Sequence, residues 1–484
     1  MIFCDIQSKL YQCVFLIYIL LETLLCFGIA YGWASIVFIF KDMKFYAKLC
    51  SSVIHQDSNT RQNRMNSERQ NCVQQDIVFN LIFTVSAICF CAQFPIGILI
   101  DKFGAKKTRI VTGCLYAISC LGLGFVKVDY EGYLFPIFIG IVSGGAAQLI
   151  SVYQMSNYIF STKMKSLVIC ILAGAFDSSS VVLLLFKVVY EAGFTLKSIV
   201  IAYTAVSFIM TFIGSLLLVP DKEKVVVIND QVKNERGNQG SIFKSIFSLM
   251  YCLQLLVLTI IQLKLWYYVG SMHDNISILT LSNQKQVSKY TNLFGYIQLG
   301  GIFVTPIVGL LFQQSNKAVD EKLACLQYSD KHIPEIRSSI RPFVVTIVLT
   351  LVLCVLSLFA DLRLEIPCYM LYTVVRGFLY ANNAAFIGIA FPASQYGTLF
   401  GLNIFVSAAL GFFQYALFNL TKHAFNGNSF WINTILLILV ITCLIHPLYL
   451  FWYCKQTKVS LDKKYDDKKP LIESTPDPYN ETCI

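Results

Sequence analysis

The sequence predicts an all-α membrane protein of twelve transmembrane helices in two pseudo-symmetric six-helix halves, with both termini on the cytoplasmic side. Three observations lead there. First, 56% of the 484 residues are apolar and only 14% are charged, against roughly a quarter charged in soluble domains, and the mean hydropathy is +0.63. Second, the apolar residues form long uniform runs, not the alternating ten-residue segments of a membrane barrel. Third, a polar break of 26 residues at 220–245 separates two blocks of similar length. This composition excludes a soluble enzyme, a disordered chain and a nucleic-acid-binding protein. The net charge of +10 lies mainly in loops between apolar runs, where it reports topology.

The runs fall at 11–40, 77–100, 107–126, 133–160, 167–190, 198–219, 246–272, 288–312, 342–361, 367–391, 397–421 and 430–452. Each is close to or above the ~20 residues that cross a bilayer as a helix. The first is too long for a signal-peptide core and is interrupted by Glu22, so it reads as an uncleaved helix. The halves are thus 1–219 and 246–452, joined by a cytoplasmic loop at 220–245. A tail at 453–484 mixes Lys pairs, acids and prolines, a composition that predicts disorder. With the N-terminus inside, cytoplasmic segments carry 23 Lys and Arg and outer segments 12, which sets the orientation. Asn275 starts an N-I-S sequon in the outer loop after the seventh run, a candidate glycan acceptor. In the tail, Asp467, Leu471 and Ile472 have the spacing of a dileucine sorting signal.

Most of the 17 cysteines lie inside apolar runs, where Cys is a small soft filler. Cys50 and Cys72 share the polar loop after the first run, and an extracytoplasmic loop would permit a disulfide between them. No Cys/His group has metal-ligand spacing and no phosphate-binding loop occurs. Neither a metal nor another cofactor is expected.

The sharpest local pattern is GILIDKFGAKKTR (97–109), between the second and third runs. Asp101 can sit near a helix N-terminus and pair with a basic residue of the set Lys106, Lys107 and Arg109. Gly97 and Gly104 permit close helix approach and a tight turn. Such a latch can hold one conformation and release in another. The pattern resembles the signature of the major facilitator superfamily. The equivalent loop of the second half, GLLFQQSNK from Gly309, has Gln313 where an acid belongs.

The stretches YGWASIVFIFK (31–41), GAFDSSS (174–180), YTNLFGYIQLG (290–300) and GFLYANNAAFIGIAFP (377–392) resemble solute carrier family 43. The resemblance runs from the first helix to the twelfth and includes the paired cysteines. That family holds equilibrative nucleobase transporters and large neutral amino acid transporters. The acid of GAFDSSS and the run from Asn383 to Phe386 resemble the nucleobase branch. The implied fold has helices 1, 4, 7 and 10 lining the substrate path.

The residues also speak for themselves. Ionisable groups inside spans are rare and are functional candidates by default. Glu22, Asp177 and Arg376 fall near the midplane, where secondary transporters place their substrate site. Lys187 and Lys264 fall near outer span ends and can snorkel. Polar stripes add Gln154 and Asn157 in the fourth run, Trp266 and Tyr267 beside Gln262 in the seventh, and Gln298 in the eighth. Arg376, Tyr380 and Asn383 recur on one face of the tenth.

Aromatic rings can stack on a planar heterocycle, while amide and carboxylate groups read its edge. The expected function is therefore facilitative transport of purine nucleobases by alternating access, by a monomer in the plasma membrane. An amino-acid substrate stays open, because Arg376 and Glu22 suit a carboxylate and an ammonium. So does a non-transporting receptor on a carrier fold. No nucleophile–base constellation supports an enzyme.

Overall fold

The computed structural model describes residues 9–28, 32–51, 73–179, 181–219, 241–281, 283–298, 300–313, 332–425 and 428–456. Cys72, Gln314 onward in the second-half loop, and most of the central loop and tail lie outside this set, as does the side chain of Cys50. The candidate disulfide and the dileucine signal therefore fall outside the described residues.

The described helices are α1 (Lys9–Glu22), α2 (Trp33–Asp42), α3 (Lys48–Ser51), α4 (Val73–Ile88), α5 (Gln93–Phe103), α6 (Ala105–Phe125) and α7 (Leu134–Ile159). They continue with α8 (Thr162–Ser178), α9 (Val181–Glu191), α10 (Leu196–Leu217), α11 (Ile242–Ile246), α12 (Leu249–Leu279) and α13 (Gln284–Gln298). The last are α14 (Gly301–Gln313), α15 (His332–Leu356), α16 (Glu365–Ala390), α17 (Tyr396–Gly411), α18 (Phe413–His423) and α19 (Phe430–Thr442).

Several apolar runs are broken helices. The first is not one helix from 11 to 40. It ends as α1 at Glu22, widens into a π-type turn over Thr23–Phe27 and restarts at Trp33. Hydropathy alone does not register such breaks, because the broken turns are as apolar as the helices. The seventh run errs the other way: α12 continues to Leu279, so Asn275 is half-buried within a helix and not in a loop. Near its end the Ser271 and Thr280 hydroxyls donate to carbonyls one turn back at 2.8 Å. The loop expected around Asn275 is thus the end of a helix.

Nine helical stretches among the described residues are long and apolar enough to cross a bilayer, and the bent pair Asn292–Gln298 and Phe303–Phe312 makes a tenth. Helix α16 is not one of these, although its 26 residues span about 39 Å at 1.5 Å per residue. It carries Arg376, Asn382, Asn383 and three tyrosines, the price of a helix that presents polar groups.

Lipid supplies no hydrophobic drive between helices, so packing and internal hydrogen bonds must hold them. Helix α6 shows the consequence. Val111, Leu115, Ile118 and Phe125 are exposed, whereas Thr108, Arg109, Thr112, Tyr116 and Ser119 are buried. The apolar stripe faces outward, the reverse of a soluble helix.

The chain forms two compact units. The first comprises Met1–Met155, Ala175–Lys222 and Gly397–Ala408; the second comprises Ser156–Gly174, Glu223–Tyr396 and Ala409–Ile484. These differ from a contiguous division at the central loop by two segments. In the first unit Ile36, Phe40, Phe79, Phe138 and Val200 build a core, with Trp33 edge-on to Phe138 at 4.7 Å. In the second, Asn382 of α16 donates to Thr346 Oγ1 of α15 at 2.6 Å, and His446 is packed edge-on by Phe343 and Phe386.

Candidate functional site

Of the expected latch residues, Gly97 and Asp101 meet one helix start in the first unit, and Arg109 does not join them. Helix α5 stops at Phe103, Gly104 turns the chain at φ 91°, and α6 starts at Ala105. This leaves Asp101 in the last turn of α5, against the start of α17. Its Oδ1 accepts from Gly397 N at 3.2 Å and from Gln154 Nε2 at 2.7 Å. Its Oδ2 accepts from Thr398 N at 2.7 Å and Thr398 Oγ1 at 2.6 Å. The amides of Gly397 and Thr398 belong to the first turn of α17 and have no partner within that helix. A carboxylate there also meets the positive end of the helix dipole. Burial pushes the Asp101 carboxyl up to about 6, although the donors from Thr398, Gly397 and Gln154 pull the other way. Gly97 lies on Gly397 so closely that a Cβ on Gly97 would overlap the Gly397 backbone. Lys106 is half-buried and Lys107 exposed at the head of α6. Gln154, expected on the substrate path, is a partner of the latch.

Arg109 belongs to a different cluster of the same unit. Its Nη2 donates to both oxygens of Glu22 at 2.7 Å. Its Nη1 reaches Ser151 Oγ at 3.1 Å and its Nε Ser215 Oγ at 3.2 Å. Gln148 Nε2 donates to the Arg109 carbonyl at 2.8 Å. Arg109 is 1% exposed and Glu22 is fully buried. The pair ties α1, α6, α7 and α10 together. Glu22 therefore has both oxygens committed to a helix seam, and Arg109 is sealed within it. Asp177, also of this unit, is half-buried in the last turn of α8.

In the second unit, Gln254 Nε2 of α12 donates to Asn383 Oδ1 of α16 at 3.0 Å. The buried Oε1 atoms of Gln254 and Gln262 have no hydrogen-bond partner among the described residues. Each of these oxygens can accept a further hydrogen bond. One turn and two turns before Asn383, Tyr380 and Arg376 are half-buried, and Arg376 Nη1 donates to Gln298 Oε1 at 3.2 Å. Trp266 is half-buried against Gly411, the last residue of α17.

Other expected members lie elsewhere. Tyr267 bonds Thr421 Oγ1 at 2.9 Å and packs on Ile432 and Leu436. Asn157 lies against the backbone of Gly388, at the end of α16. Lys264 does not snorkel: it is fully buried and donates to Asn433 Oδ1 at 2.8 Å. Lys187 does stay half-exposed, 3.8 Å from Glu191 and over the Phe38 ring at 4.3 Å. Gln254 was not singled out from the sequence, although it lies eight residues before Gln262, where a longer stripe would have reached it.

The residues therefore form a carboxylate cap on the start of α17, a sealed ion pair and a buried amide pair. Residues 23–415 match the profile of the Major Facilitator Superfamily. Equilibrative nucleobase transporter 1 of Bos taurus is 28% identical over 476 residues, covering 90% of this chain and 95% of that protein. Large neutral amino acids transporter small subunit 3 of Homo sapiens is 22% identical over 516 residues, covering 90% and 92%. Among solved structures, the proton:xylose symporter XylE aligns with a TM-score of 0.56 at 10% identity, over 91% of this chain and 96% of that one. The human organic anion transporter MFSD10 aligns with a TM-score of 0.54 at 12% identity, over 90% and 98%; these two likenesses speak to the fold alone. With the family profile covering most of the chain and the apolar helices in place, this protein belongs to the major facilitator superfamily and is a multi-pass membrane transporter of small molecules.

Proposed function

We propose that the chain is a facilitative carrier of purine nucleobases such as adenine, guanine and hypoxanthine, of the solute carrier family 43 type. It works by alternating access through twelve crossings, as a monomer in the plasma membrane with both termini cytoplasmic. The observation that carries this reading is the Gln254–Asn383 amide pair, with the Gln254 side-chain oxygen unpartnered among the described residues. Amides present donor and acceptor side by side, as a purine edge does, and Tyr380 on the same helix offers a ring for stacking. The relative named as a nucleobase transporter supports the same choice. With no phosphate-binding loop in the sequence, flux follows a gradient of the substrate or of an ion, and the family 43 resemblance favours simple equilibration of the substrate.

One observation favours a second reading. Arg376 in contact with Gln298 resembles half of a carboxylate clamp, and other relatives are named as large neutral amino acid transporters. Cells expressing the chain are expected to take up radiolabelled adenine, with competition by hypoxanthine and none by leucine. Leucine uptake without adenine uptake selects the amino-acid reading. Ligand binding without any flux, at confirmed surface expression, selects a receptor.

Arg376→Ala and Asp177→Asn are expected to abolish this uptake while surface protein stays near the parent amount. If surface protein disappears along with uptake, both residues hold the fold and not the substrate.

A further inference from the structure

The carbonyl of Gly388 lies in the last turn of α16. In a continuing helix it would accept from the amide four residues on. That residue is Pro392, which has no amide to give. The neighbouring carbonyl, of Ile387, is satisfied by Phe391 N at 3.2 Å. At Gly388 the donor is instead Lys165 Nζ, at 2.9 Å, from the first turn of α8. Lys165 is 6% exposed. A cation at a helix C-terminus also meets the negative end of the dipole. Beside it, the Asn157 side-chain amide lies where a Cβ at 388 would sit.

Gly388 is followed by the short turn 391–395, which leads into α17. Ser245 Oγ donates to Gln395 Oε1 of this turn at 2.7 Å, and Tyr251 packs edge-on against Phe391 at 5.8 Å. Just beyond the turn, the first amides of α17 are held by Asp101. A base thus caps the helix entering the turn and an acid caps the helix leaving it.

We propose that Lys165 is a positioning residue of the transport cycle, its ammonium standing in for the amide that Pro392 lacks and so fixing the turn from which α17 starts. When Lys165 lets go of Gly388, the turn loosens. As a gating role this rests on the carrier reading above, but the contact can be tested without any substrate.

The test uses the full chain in membranes with Ser394→Cys placed in the turn. N-ethylmaleimide labelling of that position is followed by mass spectrometry of its peptide. Lys165→Met is expected to raise the labelling rate about tenfold, the scale of one charge-assisted hydrogen bond. Lys165→Arg should label like the parent. Adding Pro392→Ala supplies an amide for Gly388 and is expected to bring Lys165→Met back to within about twofold, as coupled neighbours do. Parent-like labelling of Lys165→Met, or no recovery with Pro392→Ala, overturns the proposal. If Lys165→Met yields no folded protein, recovery of folded protein by Pro392→Ala supports the assignment and its absence overturns it. This labelling pattern in a chain that moves neither adenine nor leucine would defeat the substrate reading and leave only the turn-fixing contact of Lys165 standing.

Discussion

Arg109→Met is expected to remove nearly all folded protein from the membrane, before any question of transport arises. The substitution leaves Glu22 fully buried without its cation. Breaking one partner out of a buried ion pair costs about 3–5 kcal/mol, a large share of what holds a domain together. Ser151 and Ser215 soften nothing, because each already donates to a carbonyl of its own helix at 2.6 Å and loses only the arginine. The carboxylate is the group left stranded. It follows that Glu22→Met in the same chain should recover much of the loss, since apolar replacements of a buried pair are often neutral. Detergent-extracted, fluorescently tagged variants run on a sizing column, with melting followed by tryptophan emission, read this directly. A single variant with parent yield and Tm, or a double variant no better than the single, contradicts the assignment. If Arg109 instead served the substrate, the single variant would be abundant and inert.

Much of this architecture is legible in the sequence, and the remainder is hidden for a physical reason. Helical spans follow from composition and run length, which are local. The latch glycines and Asp101 are legible because their spacing within one short loop is itself the signal. Its partner Thr398 is 297 residues away, and no periodicity connects them. Glu22 and Lys264 show the other limit. A charge inside an apolar run signals that something must compensate it, but a water-lined cavity and a partner on another helix look alike in one dimension. For Glu22 the partner is Arg109; for Lys264 it is Asn433. Tyr267 and Trp266, adjacent in sequence, point to different neighbours because successive helix positions lie about 100° apart. Lys165 counted only as a topology charge, although Pro392 four residues after Gly388 marks a carbonyl in need of a donor.

Asp101→Ala is expected to lower net uptake by about tenfold or more at near-normal surface abundance. The substitution strips α17 of the acceptor for two first-turn amides and one hydroxyl, and leaves Gln154 without its acid. Buried amides at a helix start have no second source of partners, so the arrangement that depends on Asp101 loses population relative to any in which those amides reach water. Asp101→Asn should do little better, because half of the amide presents N–H groups where donors already converge. Gly97→Val attacks the same contact from the packing side, since any side chain at 97 drives α5 off the Gly397 backbone. If both changes act by releasing one latch, their effects should not add: the double variant should transport no worse than the more damaged single. Uptake normalised to surface protein, measured with whichever of adenine and leucine the parent carries, gives the comparison. Parent-like uptake by Asp101→Ala would strip the latch of any role in the cycle. Strict additivity of the two losses would mean that Gly97 and Asp101 act through separate contacts, leaving the α5–α17 approach as packing alone.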